Sequence, residues 1–140
     1  MTSTNTQSTP ASAFDWAALA GRIGLAVIFL LAGYEKVVHT AGSVGYMKAY
    51  GMPAPDLLVW PAALVELLGG ALLVLGFKSR WAAAALIVFT VAASFVFHAF
   101  WTLPDAQAAA QQVHFMKNLA IVGGLLTAIA HGPGRIAFDR

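Results

Sequence analysis

The sequence predicts an all-α integral membrane protein, an antiparallel bundle of four membrane-spanning helices. Its residues are 59% hydrophobic and only 10% charged, with a mean hydropathy of +0.74, whereas a soluble domain carries about 25% charged residues. Four windows are apolar over the roughly 20 residues that a spanning helix needs. The connections between most of them are short, so successive spans should be antiparallel neighbours. The windows are Ala17–Val38, Leu57–Leu75, Trp81–Phe100 and Val113–Ala130.

A polar segment precedes the first span, and a longer connection follows it. Residues 1–16 are rich in Ser and Thr and lack Lys and Arg, so they do not have the positive region of a secretory signal. We expect a disordered tail here, with Asp15 as a candidate helix cap. The connection over residues 39–56 carries Tyr46, Met47 and Tyr50. Because aromatic residues gather at membrane interfaces, it predicts a short interfacial helix or a loop.

Helix-breaking residues predict the remaining domain boundaries, and the distribution of Lys and Arg predicts the orientation of the chain in the membrane. The sequence divides into a tail (1–16), a four-span membrane domain (17–131) and a short C-terminal tail (132–140). Lys and Arg favour the cytoplasmic side of a membrane. We therefore expect a bacterial inner-membrane protein with both termini in the cytoplasm. The side with the termini holds Arg22, Lys78, Arg80, Arg135 and Arg140, whereas the opposite side holds Lys36, Lys48 and Lys117.

Polar side chains inside the spans collect in one half of the bundle. An ionisable residue costs about 2.5 to 3.5 kcal/mol at the bilayer centre, so such residues face the bundle interior and find partners. Glu66 lies near the middle of the second span, and the other polar groups fall in the half opposite the termini. All four spans contribute, which predicts one shared polar pocket above Glu66, formed by Glu35, Lys36, His98, His114, Lys117 and Asn118.

Several of these residues also have purely structural interpretations. Glu66 is a candidate for a permanent ion pair with either Lys36 or Lys117. Both lysines lie near span ends, where such side chains commonly extend toward the headgroups. His98 and His114 are candidates for interfacial residues that hold no ligand. These alternatives stay open at the level of the sequence.

Two further features predict packing and anchoring. Twin glycines occur in the second span (Gly69, Gly70) and in the fourth (Gly123, Gly124), and small residues let helix backbones approach closely in lipid. We expect all four to serve helix packing. Arg22 is expected at the cytoplasmic edge, in contact with lipid phosphates.

The side chains available as metal or cofactor ligands exclude several classes of cofactor. The chain has no cysteine, which excludes disulfides, thiolate catalysis and Cys-ligated metal centres. His98 and His114 on neighbouring spans are candidates for bis-His haem ligation. Both lie near the aqueous edge, however, and Lys117 one turn away is an unusual companion, so haem is not favoured and no metal site is predicted. The scattered basic residues predict no nucleic-acid partner.

Four segments, one on each span, carry most of these features: RIGLAVIFLLAGYEKV (22–37), VELLGG (65–70), SFVFHAFW (94–101) and HFMKNLAIVGGLL (114–126). In this order they resemble the DoxX family of small four-span membrane proteins, over roughly residues 18–131. The resemblance implies a link to quinone or redox chemistry. Family members include a membrane subunit associated with a terminal quinol oxidase, relatives in thiosulfate:quinone oxidoreductases, and components of assemblies that handle thiol or oxidative stress. Without cysteine, this chain would need a partner subunit for thiol chemistry.

The favoured hypothesis is a quinone- or quinol-linked component of a membrane oxidoreductase system. A quinone site needs an apolar slot, hydrogen-bond donors for two carbonyl oxygens and a path for protons. The predicted catalytic residues are Glu66, His98 and Lys117. The predicted cofactor-binding residues are Lys36, His114, Asn118, Trp101 and Phe115, with Trp60 as a further residue flanking the ring.

Two other classes of function compete with this hypothesis. The first is a non-catalytic scaffold or assembly subunit that binds a redox enzyme or a second copy of itself. The second is a small-solute transporter, although the absence of a visible inverted repeat argues against it. The sequence alone fixes neither the substrate nor the oligomeric state, and it does not establish that the chain is an enzyme.

Overall fold

The predicted four-span, all-α fold is confirmed by a computed structural model, which describes residues 10–139. Within that range every regular element is a helix, and four helices are long and apolar enough to cross a membrane. The fifth helix, α2, and a short 3-10 turn lie between spans. The elements are α1 (Ala13–Val38), α2 (Thr40–Ala49), α3 (Pro55–Leu75), α4 (Ser79–Phe97), the 3-10 turn (Phe100–Thr102) and α5 (Asp105–His131).

Helix α1 begins at Ala13 because Ser12 and Asp15 form a capping box. The Ser12 hydroxyl accepts the Asp15 backbone N–H at 3.3 Å, and the Asp15 carboxylate accepts the Ser12 backbone N–H at 2.8 Å. Asp15 therefore caps from the third helical position, and Ser12 is the N-cap residue. Of the predicted disordered tail, residues 1–9 lie outside the described residues, and the last four residues belong to the first turn of α1.

The connection between the first two spans is helical, as the first of its two alternatives predicted. Helix α2 buries Val44 and Met47 against Val59 of α3. The Tyr46 ring lies 5.3 Å from the Phe97 ring at the end of α4. Helix α2 thus covers the ends of α3 and α4. We call this the α2 end of the bundle, and we call the opposite end, where α1 begins and α5 finishes, the terminal end.

Helix α5 starts at Asp105, well before the predicted start of the fourth span at Val113. The extra turns have the sequence DAQAAAQQ, in which Ala and Gln favour the helix but contribute little hydropathy. A hydropathy window therefore misses them. Helix α5 packs mainly against α4 and meets α1 less extensively, so most of its surface stays exposed.

The central helices pack closely through glycine. A Cβ added at Gly70 in α3 would lie 2.9 Å from Leu30 of α1, and one added at Gly69 would lie 2.9 Å from Leu86 of α4. A Cβ at Gly124 would lie 3.0 Å from Leu25, whereas nothing lies within 4 Å of such an atom at Gly123. The expected packing role therefore applies to three of the four glycines. They adjoin a core formed by Ala26, Phe29, Leu73, Ala83, Leu86 and Leu125.

Arg22 anchors the terminal end from inside the protein, which corrects the expectation that it meets lipid phosphates. Its side chain is only 3% exposed. The guanidinium donates to the carbonyls of Leu73 (3.3 Å) and Val74 (3.2 Å) in the last turn of α3, and also to the carbonyl of Ile136 in the C-terminal tail. A cation at a helix C-terminus is favourable because unpaired carbonyls gather there. Arg22 thus ties α1, α3 and the tail together.

The C-terminal tail folds back against the α3–α4 turn. The backbone N–H groups of Phe138 and Asp139 each donate at 3.1 Å to the carbonyls of Leu75 and Gly76. Gly76 has a φ of +67°, and a Cβ there would collide with Arg22 and with the tail. Only glycine fits this position, because it both tolerates positive φ and leaves room for the guanidinium.

Gly69→Ala should destabilise the bundle by about 1–3 kcal/mol, because the new methyl group would lie 2.9 Å from the fully buried Leu86 and force it to shift. Gly123→Ala is the matched control in a transmembrane helix. It should be neutral or stabilising by up to about 1 kcal/mol, because nothing opposes the added methyl group. Thermal unfolding in one detergent compares the two variants, and equal effects would contradict this account of the packing.

Candidate functional site

A buried ion pair between α1 and α3 forms the centre of the candidate site. The Lys36 ammonium lies 3.0 Å from Oε1 and 2.8 Å from Oε2 of Glu66, whose residue is 4% exposed. Lys36 also donates to the carbonyl of Ala32 at 3.4 Å, one turn back along α1. This contact directs the ammonium toward the bundle middle and away from the headgroups. Of the two partners predicted for Glu66, the structure therefore selects Lys36.

The two carboxylate oxygens of Glu66 differ in their hydrogen bonding. Oε1 accepts a hydrogen bond from Lys36, whereas Oε2 is within ion-pair distance of the same ammonium but accepts no hydrogen bond from any residue in the range 10–139. The ammonium is nonetheless nearer to Oε2 (2.8 Å) than to Oε1 (3.0 Å), so its charge stabilises both oxygens, while a carboxylate has about four acceptor positions. Glu66 therefore keeps acceptor capacity beyond its salt bridge.

This ion pair lines a cavity of about 590 Å³ between the first four helices. That volume falls within the roughly 300–1,000 Å³ of typical small-molecule sites. Helix α2 lines the cavity with Ser43, Tyr46 and Met47, and its walls come from α3 and α4. Three residues that line the cavity on the two sides of the groove between α3 and α4 are also exposed on the outer surface: Pro61, Ala92 and Val96. The cavity therefore opens sideways toward lipid.

A hydrogen-bonded chain fastens α2 above the cavity. The Nδ1 atom of His98 lies 2.7 Å from the Gln111 side-chain oxygen, and the Gln111 amide donates to the Tyr50 hydroxyl at 3.3 Å. The rings of Tyr46, Tyr50 and Phe97 pack together with centroids 4.8–5.4 Å apart. Burial, with a further contribution from Tyr50, raises the pKa of Tyr46 to about 12. Tyr46 therefore presents a neutral hydroxyl at the cavity wall.

The predicted residues of α5 form a second group outside the cavity. The His114 ring stacks on the His98 ring at 5.2 Å, and the Lys117 ammonium lies 3.4 Å from Nδ1 of His114. The Asn118 amide donates to the Ser94 hydroxyl at 3.0 Å. No α5 residue lines the cavity. The single polar pocket expected from the sequence is thus divided in two, and His98 belongs to both parts.

The aromatic residues predicted to flank a ring ligand are also outside the cavity. Trp101 and Phe115 pack edge-to-face at 5.6 Å and join Phe95 and Phe100 in one cluster beside the α2 end. Trp60 is exposed on the surface of α3 and does not line the cavity. These rings contact one another, and whether any of them binds a ligand stays a prediction.

Sequence reasoning did not single out most of the apolar cavity wall. An apolar residue in a span looks the same in sequence whether it faces lipid or a cavity, and only helix packing separates the two cases. The aromatic face of α2 was the one available signal. Among residues 10–139, no three His, Cys, Asp or Glu side chains come together as a metal site would require. The unnoticed wall residues include Ser43, Met52, Pro61, Val65, Phe89 and Phe97.

The comparison with protein families agrees with this architecture. The family model for DoxX matches residues 17–99, more than half of the chain. The chain belongs to the DoxX family. The matched range begins in α1 and ends just after α4, so it contains every residue that lines the cavity, whereas α5 lies beyond it.

Individual relatives of this DoxX protein are bacterial and eukaryotic. It is 33% identical to inner membrane protein YphA of Escherichia coli K12 over 122 residues, which cover 87% of each chain. It is 34% identical to inner membrane protein YqjF of the same organism over 126 residues, covering 90% of this chain and 92% of the relative. A Surfeit locus protein 4 homolog of Schizosaccharomyces pombe is 34% identical over 85 residues, which are 57% of this chain and 28% of that protein. No solved structure matches significantly.

The ion pair makes a thermodynamic prediction for this DoxX protein. Glu66→Gln or Lys36→Gln alone should destabilise it by about 3 kcal/mol or more, because each leaves the partner charge buried and unpaired. The double variant should lose clearly less than the sum of the two. Unfolding in detergent measures all three variants.

Lys48→Gln is the matched control, because Lys48 and its partner Asp56 are both exposed at the α2 end. It should cost less than about 1 kcal/mol. Strict additivity of the two buried substitutions would show that Lys36 and Glu66 do not depend on each other.

Proposed function

We propose that this protein is an inner-membrane, quinone- or quinol-binding component of a membrane oxidoreductase system, with both termini in the cytoplasm. One observation carries the proposal: a largely apolar cavity that opens toward lipid is lined by a buried ammonium–carboxylate pair. The Escherichia coli relatives are named inner membrane proteins, which supports the same location for this chain.

A quinone combines a flat ring, two oxygens and an apolar tail, and the cavity residues suit each part. Lys36 and the neutral Tyr46 hydroxyl are donors for ring oxygens. The Met47 thioether and the Phe97 ring offer apolar contacts for the ring, and the α3–α4 groove gives the tail a way into the bilayer. When bound, a quinone would supply two-electron, two-proton redox chemistry.

The protein's own contribution would be to bind the head group and to move protons. The Glu66 carboxylate can accept a proton from a ligand hydroxyl, and the ligand oxyanion that remains would then pair with the adjacent Lys36 ammonium. His98 lines the cavity near the α2 end, with its Nδ1 held by Gln111. The other ring nitrogen, Nε2, then has a lone pair that can accept a hydrogen bond from a ligand. Electrons would pass to or from a redox-enzyme partner.

A scaffold or assembly role is the second candidate, and the exposure of α5 favours it. Only Leu125 of that helix is fully buried, although the helix is long enough to cross the bilayer. A transmembrane helix so weakly covered by its own chain can pack against a partner helix. Co-purification of a stoichiometric redox subunit would fit both candidates, whereas ligand binding discriminates between them.

Binding of decylubiquinone, oxidised and reduced, to the purified protein in nanodiscs tests the proposed site. The native protein should bind at least one of the two forms. Glu66→Gln and Lys36→Gln should each weaken binding about tenfold or more, since a hydrogen bond to a charged group contributes about 1.5–3 kcal/mol. Lys117→Gln should leave the affinity unchanged because Lys117 is outside the cavity.

A larger side chain at the opening of the cavity provides a test that leaves Lys36 and Glu66 unchanged. Ala92→Phe should block binding, because Ala92 lines the groove between α3 and α4. Ala120→Phe places the same side chain on the exposed surface of α5 and should have no effect. The proposal fails if the native protein binds neither form, or if Ala92→Phe binds as tightly as the native protein.

A further inference from the structure

Two polar side chains of the cavity, Glu66 and His98, offer a ligand acceptors and no donors. This matters because the two redox forms of a quinone differ in their hydrogen bonding. A carbonyl oxygen of the oxidised form and a hydroxyl oxygen of the reduced form, the quinol, both accept hydrogen bonds, so a protein donor does not distinguish them. Only the quinol carries O–H groups, so a group that can only accept distinguishes the two forms.

Glu66 is held as an acceptor by its ion pair. The Lys36 ammonium lies 2.8 Å from one carboxylate oxygen and 3.0 Å from the other, so the group is a charged carboxylate with no proton to donate. Lys36 donates one hydrogen bond to this carboxylate and another to the Ala32 carbonyl, which leaves most of the carboxylate's acceptor positions free. A ligand hydroxyl that reaches Glu66 finds a charged acceptor, whereas a carbonyl oxygen there would meet a second acceptor with no hydrogen between them.

His98 is held as an acceptor by side chains outside the cavity. The Gln111 amide donates to the Tyr50 hydroxyl at 3.3 Å, so the Gln111 oxygen faces His98 and accepts from its Nδ1 at 2.7 Å. A neutral imidazole that donates from Nδ1 has its lone pair on Nε2. Because His98 lines the cavity, it adds an acceptor from the end of α4 to the carboxylate that α3 supplies.

Other polar side chains that line the cavity do not oppose this preference. The hydroxyls of Ser43 and Tyr46 can serve either redox form. Glu35 only accepts, and it is exposed and pairs with His39 at 3.0 Å, so water competes for its oxygens. The discrimination therefore depends on Glu66 and His98.

We propose that the cavity selects the quinol over the oxidised quinone, with Glu66 and His98 as the residues that determine this specificity. The inference rests on the proposed function of the cavity and adds the redox form in which the ligand binds. A site that accepts a hydrogen bond from a ligand hydroxyl discriminates against an analogue that lacks it, because the analogue displaces water and leaves the acceptor unpaired. Each of the two residues should contribute to the preference on its own.

Anaerobic binding measurements on the full-length protein in nanodiscs test the selection with three ligands. They are decylubiquinol, decylubiquinone and the dimethyl ether of decylubiquinol, in which both hydroxyl groups are methylated. The ether keeps the ring, the tail and the oxygens of the quinol but has no O–H group. The native protein should bind the quinol about tenfold or more tightly than the quinone, as expected for a hydrogen bond to a charged group. It should bind the ether no more tightly than the quinone.

Variants of the two acceptors connect the preference to these residues. Glu66→Gln and His98→Phe should each lower the ratio of quinol to quinone affinity, since each removes one acceptor-only group. The double variant Lys36→Gln with Glu66→Gln leaves no unpaired charge, so it keeps the test valid if Glu66→Gln alone fails to fold. Asp56→Asn is the matched control, because it makes the same change in the exposed pair with Lys48, outside the cavity. It should leave the ratio unchanged.

The outcomes separate this inference from the proposed function. Equal affinity for quinol and quinone, tighter binding of the quinone, or binding of the ether as tight as that of the quinol would overturn the selection and leave quinone binding intact. A quinol preference that persists in every variant would overturn the assignment to Glu66 and His98. Binding of none of the three ligands would contradict the proposed function itself, and the inference with it.

Discussion

The neutralisation of Lys36 by Glu66 is the constraint on which the rest of the bundle depends. In a bilayer, apolar side chains gain little by leaving lipid for one another, so spanning helices need close packing or polar contacts to associate. A charge on α1 and an opposite charge on α3 supply such a contact, since either alone would be unfavourable at that depth. The same interface has Gly70 against Leu30, so close backbone approach and charge pairing reinforce each other.

Arg22 repeats this principle at the terminal end with backbone carbonyls as acceptors. It holds the last turn of α3 and the tail to α1, while Lys36 holds the middle of α3 to the other end of α1. Helix α3 is therefore held to α1 at two levels. Helix α5 has no comparable tie to α1, which explains why so much of its surface stays open to lipid or to partners.

Hydropathy alone was sufficient to predict the four spans, because lipid requires a long apolar helix wherever the chain crosses it. The partner of Glu66 could not be predicted the same way. Lys36 and Lys117 lie at comparable depths on different spans, and only the packing of α1 against α3 decides between them. The cavity wall was hidden for a related reason, since Pro61 and Ala92 read as ordinary apolar residues. The start of α5 was missed because Ala and Gln form helix without being strongly hydropathic.

Among residues 10–139, His98 alone both lines the cavity and contacts the polar group on α5, so its position at the end of α4 connects the two regions. It lines the cavity, rests on His114 and bonds to Gln111. A ligand that shifts the His98 ring would therefore shift the surface against which His114 is stacked and strain the chain that holds α2 in place.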